Sequence, residues 1–363
     1  MTRVLHIVPA LFGGPDGIVG GAERYALELA RHMAQRTPTR LLTFGDRPRE
    51  VSADGLVIRV AGPGWRVRGQ RTNPVAAALF GEVWRADVIH CHQQHVLAST
   101  LAALTARVRG RRVFVSELGG GGWDVSAYVS TDRLYHGHLH LSDYSRRVHG
   151  HERLARAHVI YGGVDLTRFT PDPNRRPEPR AVFVGRLLPH KGVHDLIRAL
   201  PAGLALDVIG RPYDDRYLRD LQGLAAGKAV RFRHDATDGD LVTAYRAALC
   251  VVLPSVYADP YGGRTRVPEL LGQSLLEGMA CGAPAVATDV ASLPEIVTHG
   301  VNGLLVPPGD PAALGAALDL LAHEPARVAA MGRAARQTVE QRFTWDRVVE
   351  RCLAIYAGEN REG

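Results

Sequence analysis

Hydrophobic positions in the first half of the chain alternate between short apolar runs and a stretch with helical spacing. The apolar runs predict buried strands, and residues 22–34 carry apolar side chains along one helix face. The predicted strands are Val4–Pro9, Arg40–Phe44, Asp87–Cys91 and Val113–Ser116. Residues 45–80 are rich in Gly, Pro and Arg, and their pattern predicts no definite element. Strands alternating with helices are typical of parallel α/β folds.

The same alternation restarts after residues 170–179, where four prolines predict a linker. The predicted strands of this half are Ala181–Val184, Ala205–Ile209, Val230–Phe232, Cys250–Leu253 and Ala285–Ala287. The predicted helices are Val193–Leu200, Tyr217–Ala226, Asp240–Ala248, Gln273–Ala280 and, at the end of the chain, the amphipathic Trp345–Tyr356. We therefore predict two Rossmann-like, doubly wound domains, residues 1–169 and 170–344. Ligands bind outside the carboxyl ends of parallel strands, so two such domains facing one another would form one deep cleft.

Length and composition fit this division. The chain has 363 residues, of which 46% are hydrophobic, enough for two cores. It contains no apolar run of membrane-spanning length, and the short first run ends too soon at Gly13 to be a signal peptide. Four scattered cysteines without a CxxC pair predict neither a zinc site nor a disulfide framework. We expect a cytoplasmic protein.

The positive charge is concentrated in one half of the chain. The net charge is +7, and residues 1–168 hold 22 Arg and Lys against 14 Asp and Glu. The basic clusters are Arg66, Arg68 and Arg71; Arg107, Arg109, Arg111 and Arg112; and Arg146 and Arg147. They form either a solvated surface or a surface that attracts an anionic acceptor or an anionic membrane leaflet. Nucleic acid is not an expected partner, because aromatic residues are only 6% of the chain and no stacking motif interleaves with the arginines.

Residues 184–193 are the first candidate binding site. A predicted strand ends at Val184, and a helix is predicted to begin just after Lys191 and Gly192. The start of a helix offers free N–H groups, Arg186 offers a bidentate guanidinium, and Lys191 offers a mobile charge. Lys191 is one of only two lysines in the chain. This combination suits a diphosphate, although the alternative is a loop with incidental surface charges.

A second candidate site combines two carboxylates around a predicted helix start. Glu269 precedes Gly272, and Glu277 lies within the helix beside apolar residues. A buried carboxylate needs hydrogen-bond donors, and vicinal sugar hydroxyls supply two at once. The alternative is a structural ion pair or a helix cap.

A third candidate is the glycine-rich stretch of residues 12–23, between the first strand and the first helix. Glycines let a phosphate or a sugar approach the backbone closely. The stretch does not fit GxGxxG, so a dinucleotide is disfavoured.

Together these stretches resemble the family 4 retaining glycosyltransferases, which have the GT-B fold. The resemblance rests on Gly20–Arg24, Val184–Val193 and the Glu-x7-Glu element from Glu269 to Glu277, which continues through Gly282, Pro284 and Thr288. Residues 159–169 resemble the interdomain strand and hinge of this family, and Phe343–Trp345 resembles the start of its last helix. The resemblance therefore covers nearly the whole chain.

The resemblance implies a role for each matching residue. Arg186 and Lys191 would hold the donor diphosphate, and Gly20 and Gly21 would lie against it from the first domain. Glu269 would hold hydroxyls of the transferred sugar beside Gly272 and the N–H groups of Gln273 and Ser274, and Glu277 would hold the ribose. The last helix, residues 345–363, would pack back on the first domain.

The chain departs from the family at two places. Members of the family often place a His after the strand that corresponds to Val113–Ser116, where this chain has Glu117. Glu117 is therefore our candidate for that catalytic position. Residues 256–267 are longer than the usual connection before the first glutamate, and they form either a wall of the sugar pocket or a surface insertion.

We therefore expect a retaining glycosyltransferase that moves a hexosyl unit from a nucleotide-diphosphate sugar to a saccharide or lipid-linked glycan. A UDP-sugar is favoured as donor and a GDP-sugar comes next. Neither a metal nor a cofactor is expected. Peripheral contact with the inner face of the membrane is one expectation from the basic first half. The rivals are a nucleotide-sugar epimerase of the same fold, glycosylation of a small acceptor, and a non-catalytic binding protein.

Overall fold

The structure is a computed structural model that describes residues 1–9, 20–62, 64–70, 72–118, 126, 128–174 and 176–359. It divides into two compact units. The first comprises Met1–Gly163 and Trp345–Gly363, and the second comprises Val164–Thr344. The division falls before the proline-rich stretch that predicted a linker after residue 169. Residues 164–170 belong to the second unit because the Val164 N–H donates to the Phe343 carbonyl at 2.9 Å and the Arg246 guanidinium donates to the Thr170 carbonyl at 2.7 Å.

The first unit is built on an eight-stranded sheet. Its strands and those of a separate hairpin are β1 (Val4–Ile7), β2 (Thr39–Phe44), β3 (Arg49–Ala53), β4 (Leu56–Ala61), β5 (Trp65–Arg66), β6 (Pro74–Val75), β7 (Val88–His92), β8 (Arg112–Ser116), β9 (Gly137–His140) and β10 (Ala157–Val159). The order across the sheet is β10-β9-β8-β7-β1-β2-β4-β3, and only β3 runs antiparallel to its neighbour. Strands β5 and β6 pair with each other. The order reverses between β1 and β7, which makes the sheet doubly wound.

Helices of the first unit cover this sheet. They are α1 (Gly21–Ala34), α2 (Ala78–Arg85), α3 (Leu97–Val108), α4 (Asp143–Val148) and the last helix of the chain, Trp345–Ala357. The core includes buried side chains of β1, β7 and β8, such as Leu5, Ile89 and Val113. The last helix packs on α1, where the rings of Tyr25 and Trp345 lie 5.4 Å apart.

The second unit is built on a six-stranded parallel sheet. Its strands are β11 (Arg180–Val184), β12 (Ala205–Ile209), β13 (Val230–Arg233), β14 (Cys250–Leu253), β15 (Ala285–Thr288) and β16 (Gly303–Val306). The order is β13-β12-β11-β14-β15-β16, so the chain builds outward from β11 and then starts again on its other side at β14. Continuous apolar runs, in which polar residues do not alternate, predicted β11 and β14. The runs are continuous because both faces of these central strands are covered.

Helices connect these strands and complete the second unit. They are α5 (Val193–Ala199), α6 (Asp215–Leu224), α7 (Asp238–Ala247), α8 (Gln273–Ala280), α9 (Leu293–Ile296), α10 (Pro311–His323) and α11 (Pro325–Arg342); the last helix of the chain is thus α12. The predicted elements of this unit are confirmed with ends that differ by a few residues. Among the described helices of both units, none is long and apolar enough to cross a membrane.

Candidate active site

The candidate site of the second unit lies where the order of its sheet reverses. Strands β11 and β14 are neighbours, and each is followed by a loop that carries predicted site residues. Their carboxyl ends meet at one edge of the sheet, which is where doubly wound sheets bind ligands. The topology therefore brings together residues near position 190 and residues near position 270.

Arg186 follows β11 and is exposed. Its guanidinium carbon lies 5.8 Å from the centre of the Tyr213 ring, which follows the next strand, β12. An aromatic face near a guanidinium limits its orientation without neutralising its charge. Arg186 thus offers a full positive charge and several N–H donors at this edge of the sheet.

Lys191 ends a short 3-10 helix, Pro189–Lys191, that follows Arg186. Its ammonium forms an ion pair with Glu269 and lies 3.3 Å from the Pro268 carbonyl oxygen. The side chains are only 12% and 9% exposed. The predicted phosphate ligand and the predicted sugar ligand are therefore direct partners.

The backbone at Gly192 fixes where Lys191 stands. Gly192 has a φ of 68° and directly precedes α5. A Cβ atom at this position would lie 1.8 Å from the Pro254 carbonyl oxygen, at the end of β14. The chain after β11 can therefore approach the β14 loop only with glycine here.

Glu269 is held by a second group that the sequence did not indicate. The Ser255 hydroxyl donates to Oε1 of Glu269 at 2.8 Å, and the Thr288 hydroxyl donates to the Ser255 carbonyl at 2.6 Å. Thr288 ends β15, so the glutamate is anchored to two strands. Among the residues that the structure describes, the donors to this carboxylate reach Oε1, which leaves Oε2 able to accept from a substrate.

Helix α8 begins directly after Gly272, which lies three residues beyond Glu269. Gly272 has a φ of 90°, and a Cβ there would lie 2.8 Å from a Leu293 methyl. The helix then starts at Gln273 and Ser274, which are half-buried. The first N–H groups of a helix have no partner within it and favour negative charge.

Glu277 lies one turn further along α8 and is buried. The Tyr245 hydroxyl, on α7, donates to its Oε2 at 3.3 Å. The position among apolar neighbours agrees with the sequence pattern, whereas the tyrosine partner appears only in the fold.

The pKa of His190 responds to the charges around this site. Burial lowers the pKa of this imidazole to about 4, and the charges of Lys191 and Arg186 add to the shift, while Glu269 and Asp259 oppose it. The imidazole is therefore neutral at pH 7. The side chains of Lys191 and Arg186 therefore both lie close enough to oppose protonation of His190.

Residues 256–267 form an ordered excursion beside this site. The Val256 N–H donates to the His190 carbonyl at 2.8 Å, and the chain turns back through an antiparallel bridge between Ala258 and Arg264. At its tip the Tyr261 hydroxyl donates to Asp220 on α6 at 2.5 Å. The excursion is thus attached both to the Lys191 loop and to the outer helix.

The first unit carries the remaining predicted site residues. Gly20 precedes α1 at the carboxyl end of β1, where the order of that sheet reverses, and Gly21 begins the helix. Residues 10–19, which hold most of the glycine-rich stretch, lie outside the described residues. Glu117 follows β8 and is buried, and its Oε2 accepts from the Gln94 N–H at 2.9 Å.

A doubly wound sheet with cationic and carboxylate side chains at its switch point, in a chain with a second such sheet, agrees with the GT-B class of glycosyltransferases. Comparison with known families agrees. The family Glycosyltransferase Family 4 matches residues 19–168, and Glycosyl transferases group 1 matches residues 168–338. The chain belongs to the family 4 glycosyltransferases and has the GT-B fold, as its sequence motifs predicted.

Individual relatives support this assignment. The D-inositol 3-phosphate glycosyltransferase 1 of Catenulispora acidiphila is 29% identical over 95% of this chain and 91% of its own length. An alpha-maltose-1-phosphate synthase of Mycobacterium tuberculosis is 31% identical over 75% of this chain and 79% of its own. Among solved structures, Anabaena HepE in complex with UDP and glucose superposes with a TM-score of 0.75 at 19% identity, over 99% of this chain and 100% of HepE.

Proposed function

We propose that this glycosyltransferase is a retaining hexosyltransferase that takes its sugar from a nucleotide-diphosphate donor. The observation that carries the proposal is the buried pair of Lys191 and Glu269, with Arg186 and the start of α8 at the same edge of the sheet. Cationic groups and carboxylates at one point match a ligand in which a diphosphate adjoins a polyhydroxylated ring. An epimerase would need the same diphosphate contacts but no acceptor.

Arg186 and Lys191 would bind the diphosphate. Lys191 donates to Glu269 and to the Pro268 carbonyl, so one of its three N–H groups remains for a phosphate oxygen. When the bond to the anomeric carbon breaks, negative charge grows on the leaving phosphate. Positive groups already in place stabilise that charge without reorganising, which lowers the barrier.

Glu269 would bind the hydroxyls of the transferred sugar through Oε2. Ser255 and Lys191 hold its other oxygen, so the carboxylate keeps one orientation. The N–H groups of Gln273 and Ser274 would meet oxygens of the same sugar or of its phosphate. Gly272 allows the helix to begin at this point.

Glu277 would accept hydrogen bonds from the ribose hydroxyls. Its partner Tyr245 fixes one carboxylate oxygen from the neighbouring helix. A carboxylate that accepts from two vicinal hydroxyls distinguishes ribose from deoxyribose. With deoxyribose, one hydroxyl is missing and the buried carboxylate loses a hydrogen-bond donor, which weakens binding.

Retention follows from attack on the face that the diphosphate leaves. The leaving phosphate oxygen would take the proton of the acceptor hydroxyl, so no protein nucleophile is required. Positive charge from Arg186 and Lys191 takes the place of a divalent cation. We propose Gly20, Gly21 and Glu117 as the contribution of the first unit to substrate binding, with Glu117 as the group that faces the reacting sugar.

A UDP-sugar is the favoured donor. HepE has been solved in complex with UDP and glucose, and the fold of this chain matches that protein over nearly its full length. A GDP-sugar is the second candidate. The acceptor that we propose is a saccharide, either free or carried on a lipid diphosphate.

The arginine clusters as a whole are a poor candidate for peripheral membrane contact, and one other surface of the first unit is a better candidate. Arg111 pairs with Asp87 at 3.2 Å, and Arg112 donates to the Tyr356 carbonyl at 2.6 Å, so both guanidinium groups have partners within the protein. Arg112 starts β8 and Arg111 directly precedes it, so both lie at the edge of the sheet opposite Glu117. They would therefore not hold an acceptor at the carboxyl edge.

The better surface is the α2–α3 patch, defined by Phe80, Trp84, Leu104, Val108 and Arg109. Each of the four apolar side chains is exposed, Trp84 to 53% and Val108 to 85%, and each pair is spaced to share one helix face. The Arg109 guanidinium carbon lies 3.9 Å from the centre of the Trp84 ring. Exposed aromatic and aliphatic groups beside arginine suit the interface of an anionic bilayer.

A donor screen tests the proposed activity. UDP-, GDP- and ADP-sugars are added to the protein, and both the unfolding temperature and the release of nucleoside diphosphate are measured. One nucleotide sugar should stabilise the wild type and the Lys228→Ala variant, but not the Lys191→Ala variant. Lys228 is the matched control because it is the other lysine and binds the carbonyls of Ile197 and Arg198 instead.

Two outcomes would overturn the proposal. If a nucleotide sugar stabilises all three proteins equally, Lys191 does not bind its diphosphate. Conversion of the donor to its epimer with no transfer to any saccharide would identify an epimerase instead.

A further inference from the structure

Three metal-ligating side chains meet in the first unit, away from the residues assigned to the donor. Asp132 starts a short 3-10 helix, Asp132–Leu134; His138 lies on β9; and His151 follows α4. Their ligand atoms all lie within 4.8 Å of one another. The three residues are separated in sequence, and only the fold brings them together.

One ring nitrogen of His138 is buried without a hydrogen-bond partner among the described residues. The side chain is 1% exposed, and its Nε2 has no hydrogen-bond partner among the described residues. The other nitrogen is engaged, since the ring bonds to the backbone of Asp132. A buried ring nitrogen without a partner is costly, and a bound metal ion would supply that partner.

The other two members are held by neighbours in the way that metal ligands usually are. His151 contacts His140 at 3.1 Å through Nδ1, which leaves Nε2 directed at Asp132 Oδ1, 3.8 Å away. Asp132 accepts from Gln94 at 2.6 Å and from the Ser130 hydroxyl at 2.9 Å. Such outer contacts fix the tautomer of an imidazole and the orientation of a carboxylate.

A second group, His6, His90 and His92, is a weaker candidate. These imidazoles are fully buried, and the group includes no carboxylate that would balance the charge of a cation. His6 Nδ1 and His92 Nε2 bond to each other at 2.8 Å, and both nitrogens of His90 are engaged, by Ser116 and by Tyr356. We interpret this group as a hydrogen-bonded part of the core. The Asp132 cluster has a carboxylate that is 32% exposed, which gives both charge and access.

We propose that Asp132, His138 and His151 bind one Zn²⁺ ion, with solvent completing its coordination. Two imidazoles and one carboxylate form a ligand set that zinc accepts at bond lengths of about 2.0–2.2 Å. Binding would draw the ligand atoms together by about 1 Å, because atoms bound to one tetrahedral ion lie closer than the present separations. The ion would connect the 3-10 helix, β9 and the turn after α4.

The bound ion would also hold in place Gln94, which contacts Glu117. Gln94 donates its side-chain amide to Asp132, and its backbone N–H donates to Glu117. A fixed Asp132 therefore fixes the residue that orients Glu117. The zinc itself takes no part in the proposed transfer, and its test does not depend on that activity.

Metal titration of the full chain tests this inference. Protein treated with EDTA and then desalted is titrated with CoCl₂ under visible spectroscopy, and ZnCl₂ is then added to displace the cobalt. The wild type should bind one Co²⁺ per chain with the visible bands of an ordered site. Saturating Zn²⁺ should raise the unfolding temperature by about 5 °C.

Variants separate this site from other histidines. Asp132→Asn keeps the shape of the side chain and one of its two acceptor oxygens, and it should lose the cobalt bands, as should His138→Gln. His149→Gln, in the same segment but outside the ligand set, should keep them. Absence of stoichiometric binding by the wild type would overturn the proposal. So would bands that persist in Asp132→Asn but disappear in His92→Gln.

Discussion

Lys191 and Glu269 are 78 residues apart in the chain, yet they form an ion pair that is almost closed to solvent. The pair exists because β11 and β14 are adjacent and because Gly192 lets the two loops touch. It joins the group expected to bind phosphate to the group expected to bind sugar. Each of the two therefore orients the other before a donor arrives.

Replacing Lys191 should reduce turnover while the protein stays folded. In Lys191→Ala we expect kcat to fall about 100-fold, because one stabiliser of the leaving diphosphate is worth roughly 3 kcal/mol in comparable sites. Lys228→Ala should stay close to the wild-type rate. Steady-state kinetics with the donor identified by the screen provide the measurement. Similar rates in the two variants would argue against this role for Lys191.

Gly192→Ala should destabilise the second unit by more than about 2 kcal/mol, since the residue is left-handed and its new Cβ would overlap the Pro254 carbonyl. Gly203→Ala is the matched control, because Gly203 also has a positive φ but nothing lies within 4 Å of the added atom. That variant should lose only about 1 kcal/mol. Urea unfolding compares the two. If both lose the same amount, the contact with Pro254 is unimportant.

Acid should destabilise the first unit through its buried histidines. Burial lowers the pKa of His6 to about 3 in the folded chain, against an ordinary value of 6.5. The unfolded chain then binds more protons than the folded chain between these values. The stabilising contribution is present above pH 6.5 and is lost as the pH falls toward 3.

One such histidine would cost about 2 kcal/mol of the free energy of unfolding between pH 7 and pH 5. Urea unfolding of EDTA-treated protein at pH 7, 6 and 5 measures the loss. A free energy of unfolding that does not change over this range would contradict the buried, neutral state of these imidazoles.

The α2–α3 patch should bind anionic vesicles. Co-sedimentation with phosphatidylglycerol-containing liposomes at low salt should retain the wild type, and salt should weaken the binding. The double variant Phe80→Ser with Trp84→Ser should bind at least about tenfold more weakly, because two exposed apolar side chains are lost. Val301→Ser removes an equally exposed apolar side chain from the second unit and serves as control. If the wild type does not bind these vesicles, the result favours a free acceptor over a lipid-linked one.

The sequence predicted the central strands and α8 well, because continuous apolar runs mark strands that are covered on both faces. It failed for residues 45–80, where it missed even the largely buried β4, and the fold explains the failure for the other strands of this stretch. Strand β3 is exposed along its whole length, and β5 and β6 have two residues each. Such elements are held by pairing with their neighbours and leave no hydrophobic pattern.

The site was predictable only in part, and for a similar reason. Lys191, Glu269 and Glu277 stand in recognisable motifs, so their residue types and spacing indicated a ligand. Ser255 lies in an ordinary loop and becomes a partner of Glu269 only when β14 and β15 are side by side. The Asp132 cluster likewise depends on a contact among three elements that no local spacing encodes.

The configuration of the sugar that is released from the donor tests the central claim most directly. A UDP-α-hexose is incubated with the protein without acceptor and without added Mg²⁺ or Mn²⁺, and NMR follows the first hexose released before it mutarotates. A retaining enzyme at Lys191 and Glu269 should release the α-anomer first, and Lys191→Ala should release almost none. Early release of the β-anomer, or α-anomer release that survives the loss of Lys191, would contradict the account.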